Sequence, residues 1–449
     1  PMPVYPPHVN LLIQNARVID PASGRDCICD IAIAQGRIAE IGPNLSLSPA
    51  DRVIDASGLI ATPGLIDPHV HFREPGQTHK EDLASGSAAA VAGGFTTVCC
   101  MPNTTPALDS PELIEWVLYK SSTAAACRVF PVAAATTGRQ GEHMAEIASC
   151  ARAGAVGISD DGDVVASPAM MRQILQNTQQ AGLAFMQHCQ EPTLTRGAPM
   201  HAGVVALRLG LLGWPREAEE IIIERDIRLN RAIGCRYHVQ HISSGNSVEI
   251  VRRARAEGLP VTAEVSPHHL TLTHEACAWP DGNSYNTDAK MNPPLREQSD
   301  IDALIAGVAD GTITILATDH APHTPDEKAR PFEEAPFGII GLESALALYY
   351  HALVEPGHID WPKLIELMTI NPARLCNLDR TCRESDGLGE LFIHGPGDVT
   401  LIDPDCPWTF SEADLAGKSR NTPFIGRAFK VRAAATIVGG VLKHELVAN

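Results

Sequence analysis

The chain has 449 residues, of which 44% are hydrophobic and 20% charged, an ordinary balance for a globular protein that buries an extensive core. It contains no run of about 18 apolar residues, which argues against a membrane span. Its net charge of −18 and the lack of a lysine- or arginine-rich block argue against nucleic acid as a partner. An anionic substrate would need cations within its own site, because an acidic protein repels anions at long range.

Both ends of the chain show short stretches in which apolar and polar residues alternate between glycines and prolines. We predict antiparallel strands in both segments, 1–63 and 381–449. Neither segment is large enough to form a core alone, so the two sets of strands are expected to pack into one small β-sandwich domain.

The segment 64–380 alternates short apolar runs with helical stretches, a pattern typical of βαβ units. We therefore predict an α/β fold in which this segment forms a (β/α)8 TIM-type barrel. The eight strands are predicted at residues 64–70, 95–100, 129–134, 155–159, 184–186, 237–240, 260–265 and 313–318. Helices are predicted at residues 112–121, 169–181, 218–232, 247–257 and 300–309.

The twelve cysteines are scattered along the chain, and Cys27 and Cys29 have no second cysteine pair near them in sequence. A chain of this size does not need disulfide bonds for stability, and its first residues lack the pattern of a signal peptide. We therefore expect mostly reduced thiols in a cytoplasmic protein, with Cys27 and Cys29 serving in packing.

His69 and His71 stand at the end of the first predicted barrel strand. Alternate side chains of a strand share one face, which places these two imidazoles about 6–7 Å apart at their Cα atoms. One metal ion accepts such a pair, with Zn–N bonds of about 2.0–2.1 Å. A solvated strand edge would explain the same two residues, so the interpretation depends on the rest of the chain.

Further polar residues follow the other predicted strands, and barrel enzymes place their chemistry at these strand ends. They are Asp160, Asp161, His188, His241, Asp319, His320 and His323. Each alone has a structural explanation, such as a turn, a buried histidine or a helix cap. Together they predict a site for one or two metal ions, and nitrogen with carboxylate ligands favours Zn2+ over Mn2+, Co2+ or Fe2+. One ion would take His69, His71 and Asp319, the second would take His188 and His241, and a carboxylate would bridge them.

The chain resembles the amidohydrolase superfamily and, within it, the class I dihydroorotases. The matching segments are 67–76, 101–104, 160–162, 238–243, 291–294 and 317–323, and the resemblance extends from about residue 10 to the C-terminus. It implies reversible cyclisation of N-carbamoyl-L-aspartate to L-dihydroorotate, a step of de novo pyrimidine (UMP) biosynthesis. Arg73, which follows the metal pair in sequence, supplies the local cation that a small anionic substrate needs in an acidic protein.

The resemblance also implies roles for individual residues. The implied metal ligands are His69, His71, His188, His241 and Asp319, with Asp161 as the bridging carboxylate. Asp319 is the implied catalytic residue, which takes a proton from the attacking water and delivers it to the leaving nitrogen. The implied substrate-binding residues are Arg73, Asn103 and His323 for the carboxylate, Asn292 for the ring, and the backbone of Phe337 and Gly338 for the ring amide.

Two alternatives remain open at this point. Hydantoinases, dihydropyrimidinases and allantoinases are related cyclic-amide hydrolases, many of which bridge their metals with a carbamylated lysine on strand 4. This chain has no lysine between Lys120 and Lys290, which favours the aspartate bridge. A non-catalytic dihydroorotase-like scaffold for aspartate carbamoyltransferase is the second alternative, and the presence of all expected ligands disfavours it. Aspartate carbamoyltransferase stays a candidate partner, and we expect a homo-oligomer.

Some residues have no assigned role. His268, His269 and His320 are either packing residues or supports for metal ligands, and Gln190 stands where an acidic residue is frequent. His201 is expected at the surface. The segment 324–337 carries three prolines and several charges, and is either a mobile lid over the site or a solvated loop.

Overall fold

The computed structural model describes residues 10–45, 50–279 and 284–446. These residues contain nineteen strands: β1 (Leu11–Asp20), β2 (Arg25–Ala34), β3 (Arg37–Gly42), β4 (Arg52–Asp55), β5 (Ile60–Pro63), β6 (Leu65–Val70), β7 (Phe95–Cys100), β8 (Arg128–Pro131), β9 (Ala184–Gln187), β10 (Met200–His201), β11 (Gly213–Trp214), β12 (Arg236–Val239), β13 (Val261–Val265), β14 (Ile315–Leu316), β15 (Val399–Asp403), β16 (Trp408–Thr409), β17 (Ala428–Phe429), β18 (Arg432–Val438) and β19 (Val441–Glu445).

The same residues contain fifteen α-helices: α1 (Leu83–Ala92), α2 (Pro111–Ala124), α3 (Ile147–Ala153), α4 (Pro168–Gln180), α5 (Pro192–Thr195), α6 (Val204–Leu209), α7 (Glu217–Asn230), α8 (Gly245–Ala256), α9 (Pro267–Thr271), α10 (Gln298–Ala309), α11 (Pro325–Lys328), α12 (Ala345–Tyr349), α13 (Trp361–Met368), α14 (Ile370–Leu375) and α15 (Arg380–Arg383). A π-helical turn at Tyr350–Val354 continues α12. Among the described helices, none combines the length and the apolar character that crossing a bilayer requires.

A closed ring of parallel strands forms the centre of the molecule. Strands β6, β7 and β8 pair in parallel, as do β9, β12, β13 and β14. Ile158 bridges Ala133 on one side and Phe185 of β9 on the other, and Val70 of β6 bridges His320 beyond β14. The ring therefore has eight positions, which is the TIM-type barrel that the βαβ pattern predicts.

The strand at the fourth barrel position is shorter than the sequence predicts. Only Ile158 of the predicted strand 155–159 makes bridges to its neighbours. Asp160 then turns the chain, because its carboxylate accepts hydrogen bonds from the backbone N–H groups of Ala135 and Thr136 at 2.8 and 3.0 Å. The strand ends early at a carboxylate, and this turn places Asp161 at the rim of the barrel.

Strands from both termini form one continuous sheet, where the sequence predicted two packed sheets. Its order is β19-β18-β15-β5-β1-β2-β3, and β4 pairs with β1. The antiparallel pairing of β15 with β5 joins the C-terminal strands to the N-terminal strands. A separate apolar cluster that includes Ile13, Ile31 and Leu401 fills this unit. The chain passes from β5 to β6 through Gly64, where a Cβ atom would lie 2.0 Å from Oγ1 of Thr96.

Residues between β15 and β18 leave this sheet and pack on the barrel. Phe410 and Phe424 bury their rings against Ile339 and Ile340, which follow the eighth barrel strand. Asn421 donates hydrogen bonds to the carbonyl oxygens of Ala321 and Gly338, each at 3.0 Å. The C-terminal segment thereby supports the backbone that surrounds the rim of the barrel.

Candidate metal centre

Six buried side chains converge at the C-terminal ends of the barrel strands: His69, His71, Asp161, His188, His241 and Asp319. They come from five positions of the barrel, and each lies at the end of a strand or within three residues after it. The parallel strands bring these ends to one rim, which is why residues separated by up to 250 positions meet.

Asp161 lies at the centre of the cluster. Its Oδ1 atom is 3.3 Å from Nε2 of His69, 3.6 Å from Nε2 of His241 and 3.7 Å from Nδ1 of His188. Its Oδ2 atom is 3.5 Å from Nε2 of His71. Asp161 therefore belongs to two groups of three ligand atoms that lie within 4.8 Å of one another, one with His69 and His71 and one with His188 and His241.

Asp319 completes the cluster from the eighth strand. Its Oδ1 atom is 3.0 Å from Nε2 of His71 and 3.4 Å from Nε2 of His69. Together with His69 and His241 it forms a third group of three ligand atoms within 4.8 Å. The structure thus brings together every residue that the sequence assigned to metal binding.

The donor atoms fit one or two divalent cations. His69 Nε2 and Asp161 Oδ1 are buried and make no hydrogen bond to any described residue. Burial would lower the pKa of His69, but the charges of Asp161, Asp319 and Glu264 raise it well above its usual value. Unpaired buried polar atoms are costly, and this excess of negative charge favours a cation at the centre of the cluster.

Outer contacts fix which imidazole nitrogen faces the centre. Nδ1 of His71 lies 2.8 Å from Oδ1 of Asn103, and Nε2 of His188 lies 2.9 Å from Oε1 of Gln190. An amide oxygen only accepts, so these nitrogens carry the protons and the opposite nitrogens keep their lone pairs. Gln190 therefore replaces the acidic residue as a proton acceptor. The amide of Asn103 is occupied by His71 and, at 3.4 Å, by Asp161.

Glu264, which was not among the predicted site residues, determines which nitrogen of His69 faces the centre of the cluster. Its Oε1 lies 2.5 Å from Nδ1 of His69, and its Oε2 lies 2.9 Å from Nε2 of His238. Burial would raise the pKa of Glu264, but His69 and His238 lower it to about 2. A carboxylate within the apolar strand β13 was the available signal, because a buried charge in such a strand needs a partner.

The two carboxylates of the cluster are held in the charged form that a metal ligand requires. Burial alone would raise the pKa of Asp161, but the charge of His69 and the nearby imidazoles of His188 and His241 hold it well below its usual value. The pKa of Asp319 is lowered in the same way, with His69 as the largest opposing cause.

Three residues of the rim have left-handed backbone conformations. The φ angles are 59° at Arg73, 31° at His241 and 49° at Asp319. Such angles cost non-glycine residues about 1–3 kcal/mol each and are maintained where the surrounding structure requires them. Here each one turns a side chain at a strand end toward the same cavity.

The remaining histidines near the rim have other contacts. Nδ1 of His320 accepts hydrogen bonds from the backbone of Gly341 and Leu342 at 3.2 and 3.4 Å. His269 bonds to Oγ of Ser266 at 2.6 Å and to the carbonyl oxygen of Pro293 at 2.9 Å. Both are therefore packing residues. His268 is buried, and neither of its ring nitrogens has a hydrogen-bond partner among the described residues.

A cavity of about 300 Å³ opens beside the cluster. Its walls include the predicted substrate-binding residues Arg73, Asn103, Asn292, His323, Phe337 and Gly338. Arg73 is 8% exposed, forms no ion pair with a described carboxylate, and donates through Nε to the carbonyl oxygen of Pro322 at 3.2 Å. Burial lowers the pKa of Arg73 to about 10, which leaves it charged at neutral pH. The cavity therefore holds a buried, unpaired cation suited to a carboxylate.

His323 is neutral beside this cation. Burial and the charge of Arg73 lower the pKa of His323 far below its usual value. Its Nε2 lies 2.9 Å from the carbonyl oxygen of Phe337, so it carries the proton and donates there, and Nδ1 accepts from Nζ of Lys80 at 3.5 Å.

Comparison with known proteins agrees with this geometry. A family model described as "Dihydro-orotase-like" matches residues 58–247. The dihydroorotase of Geobacter sp. (strain M21) is 45% identical over 97% of this chain and 100% of its own length. The dihydroorotase of Solibacter usitatus (strain Ellin6076) is 46% identical over 96% of this chain and 97% of its own length. The chain belongs to the dihydroorotase family.

This member of the dihydroorotase family shares its fold with solved hydantoinases. L-hydantoinase (dihydropyrimidinase) from Arthrobacter aurescens superposes with a TM-score of 0.83 at 23% identity, covering 98% of both chains. Dihydropyrimidinase from Brevibacillus agri NCHU1002 gives a TM-score of 0.80 at 20% identity, covering 96% of this chain and 94% of the other. At these identities the likeness establishes the fold, and the choice of substrate depends on the cavity.

Proposed function

We propose that the protein is a dihydroorotase, which catalyses the reversible cyclisation of N-carbamoyl-L-aspartate to L-dihydroorotate with loss of water. The reaction belongs to de novo pyrimidine (UMP) synthesis. The observation that carries this proposal is the position of Arg73 in the cavity beside the ligand cluster, where it is a buried cation that pairs with no described carboxylate. Dihydroorotate carries a carboxylate on its ring, and hydantoin, dihydrouracil and allantoin do not.

In this proposal the cavity residues bind and orient the substrate, and the residues of the ligand cluster carry out the chemistry. Arg73 binds the substrate carboxylate as a bidentate donor, and this ion pair orients the ring. Asn292 lines the same cavity, and its Oδ1 is buried, has no hydrogen-bond partner among the described residues, and is free to accept an N–H of the ring. These contacts place the ring carbonyl toward Asp161 and Asp319.

Asp319 is the proton carrier of the proposed reaction. It lies at the boundary between the cluster and the cavity, and its low pKa keeps it ionised as a base. In the hydrolytic direction it accepts a proton from the attacking water and delivers it to the ring nitrogen that leaves. Ring closure follows the same path in reverse, so Asp319 then removes the proton from the carbamoyl nitrogen.

We propose Zn2+ as the metal, with His69, His71 and Asp319 at one position, His188 and His241 at the other, and Asp161 shared. A bound zinc ion supplies Lewis acidity to the carbonyl oxygen and lowers the pKa of water. The two groups of ligand atoms that share Asp161, one with His69 and His71 and one with His188 and His241, support two positions.

The decisive experiment compares dihydroorotate with hydantoin, dihydrouracil and allantoin as substrates of the zinc-loaded protein. We expect the highest kcat/KM for dihydroorotate, together with zinc bound in stoichiometric amount by elemental analysis. Faster turnover of a neutral ring would assign the protein to a neighbouring activity. Zinc binding without turnover of any of the four rings would support the scaffold alternative.

A further inference from the structure

Residues 332–338, called the wall below, reach the cavity at their C-terminal end, where Pro336, Phe337 and Gly338 line it. They lie at the end of the segment that the sequence interpreted either as a lid or as a solvated loop. Phe332 and Ala335 are buried, 1% and 2% exposed, so this wall is packed into the protein. Most of its backbone carbonyl oxygens accept hydrogen bonds from charged side chains, and this feature distinguishes the wall from an ordinary loop.

Lys290 holds the first half of the wall. Its side chain is buried, and Nζ donates to the carbonyl oxygens of Phe332, Glu333 and Ala335 at 2.5, 3.2 and 2.6 Å. An ammonium group has three protons, and all three are used here. Nζ also lies 4.4 Å from the ring centroid of Phe337, a cation–π distance.

Lys328 holds the second half of the wall from the end of α11. Its Nζ donates to the carbonyl oxygens of Pro336 and Gly338 at 3.0 and 3.1 Å. The carbonyl oxygen of Phe337, between these two, accepts from His323. Every carbonyl oxygen of residues 335–338 is therefore held by a side chain.

The arrangement is unusual because neither Lys290 nor Lys328 forms an ion pair within the described parts of the chain. Burial lowers the pKa of each lysine to about 8, against nearby carboxyl groups that raise it, so both remain charged at neutral pH. Two buried lysines that contact one loop from separate segments are costly, which indicates that their hydrogen bonds serve a purpose at this position.

The two lysines affect the cavity by fixing the orientation of the peptide group between Pro336 and Phe337. In a trans peptide the N–H points opposite to the C=O, so binding of the Pro336 oxygen to Lys328 turns the Phe337 N–H away from Lys328. This N–H makes no hydrogen bond to any described residue. Lys290 also connects the two walls, because its carbonyl oxygen accepts from the Gly338 N–H at 2.9 Å and Met291 and Asn292 follow it.

We propose that Lys290 and Lys328 are positioning residues for the substrate: by holding the carbonyl oxygens of residues 332–338, they keep the Phe337 N–H available to the ring or carbamoyl oxygen. This inference rests on the proposed dihydroorotase function for its substrate. Its structural half, that the two ammonium groups order the wall, does not depend on the substrate.

The test uses K290M and K328M in the full-length, zinc-loaded protein, with K328Q as a graded variant, because a glutamine amide keeps two N–H donors. We expect KM for dihydroorotate to rise about tenfold or more in both methionine variants while kcat changes by less than about threefold. K328Q should fall between the wild type and K328M. Amide hydrogen exchange of residues 332–338 should accelerate, while exchange at strands β6, β9 and β12 stays the same.

K363M is the matched control, because Lys363 pairs with Glu366 at 3.0 Å and lines no part of this cavity. It should leave KM and exchange of residues 332–338 unchanged. Unchanged KM in folded K290M and K328M, or a loss confined to kcat, would overturn the positioning role. If K290M fails to fold, the K328M and K328Q pair decides. If the wild type does not hydrolyse dihydroorotate, the proposed function fails, and hydrogen exchange alone still tests whether the lysines order the wall.

Discussion

Nδ1 of His69 lies 2.5 Å from Oε1 of Glu264, and this contact determines which nitrogen of His69 faces the ligand cluster. The carboxylate accepts the Nδ1 proton, so Nε2 is the nitrogen that faces Asp161 and Asp319 and would coordinate a bound cation. The same carboxylate accepts from His238 and, at 3.3 Å, from the backbone N–H of His241. Glu264 therefore connects two of the proposed ligands through one strand.

Substitution of Glu264 by glutamine should weaken metal binding. The amide is neutral, and its NH2 group competes for the position at His69, which favours the wrong tautomer. We expect zinc affinity, measured by competition with a chelator, to fall about 10- to 100-fold. Glu275→Gln is the control, because Glu275 is exposed and pairs with Arg208 far from the cluster. Equal zinc affinity in both variants would show that Glu264 does not orient His69.

The neighbouring residues Asp160 and Asp161 should give opposite phenotypes. Asp161→Ala removes the carboxylate that two ligand groups share, so it should lose bound zinc while the fold persists. Asp160→Ala leaves the backbone N–H groups of Ala135 and Thr136 without their acceptor. It should lose about 1–3 kcal/mol of unfolding free energy and keep more zinc than Asp161→Ala, because it retains the shared carboxylate. Elemental analysis and urea unfolding of both variants check the pair, and zinc loss in Asp160→Ala as complete as in Asp161→Ala would contradict the assignment.

The sequence predicted the barrel and the ligand positions because both follow from local patterns. Apolar runs mark strands, and polar residues directly after them mark the rim. The predicted helices at residues 112–121, 169–181 and 247–257 correspond to α2, α4 and α8. Helix α1 was not predicted, because its residues are mostly small or apolar and it lacks the polar face that gives a helix its periodicity.

Contacts between distant segments could not be predicted from local patterns. His201, expected at the surface, is 1% exposed because Nδ1 lies 3.2 Å from the buried Arg296, which is 95 residues away. The sequence predicted two sheets from the terminal strands. They form one sheet because β15 pairs with β5, a long-range contact that no local pattern indicates. Likewise, no local pattern indicates that Lys290 donates to the carbonyl oxygens of Phe332, Glu333 and Ala335.

Asp226 should make the protein less stable as pH rises. Burial raises its pKa from 3.8 to about 6, although the charge of Arg225 and hydrogen bonds from Tyr237 and Gln187 oppose the shift. The folded state therefore binds the Asp226 proton more tightly than the unfolded state, so this group costs stability as pH rises from about 4 to about 6 and adds no further cost above that. The total is about 3 kcal/mol.

Asp226→Asn removes this titration while its amide oxygen still accepts from Tyr237. The unfolding free energy of the variant minus that of the wild type should therefore become more positive between pH 4 and pH 6 and then level off. Urea unfolding of both proteins across this range measures the difference. A difference that stays constant with pH would show that Asp226 titrates at its ordinary value in the folded protein.

Arg73→Lys should separate recognition of the carboxylate from the chemistry of the ring. Lysine keeps the charge but loses the planar fork that binds a carboxylate through two parallel hydrogen bonds. We expect KM for dihydroorotate to rise on the order of 10- to 100-fold, with zinc content unchanged, because Arg73 contacts none of the proposed ligands. Dihydrouracil lacks the carboxylate and serves as the internal control, so its kcat/KM should change by less than about threefold. An equal loss for both rings would mean that Arg73 supports the cavity as a whole, because only an ion pair to the carboxylate can distinguish the two substrates.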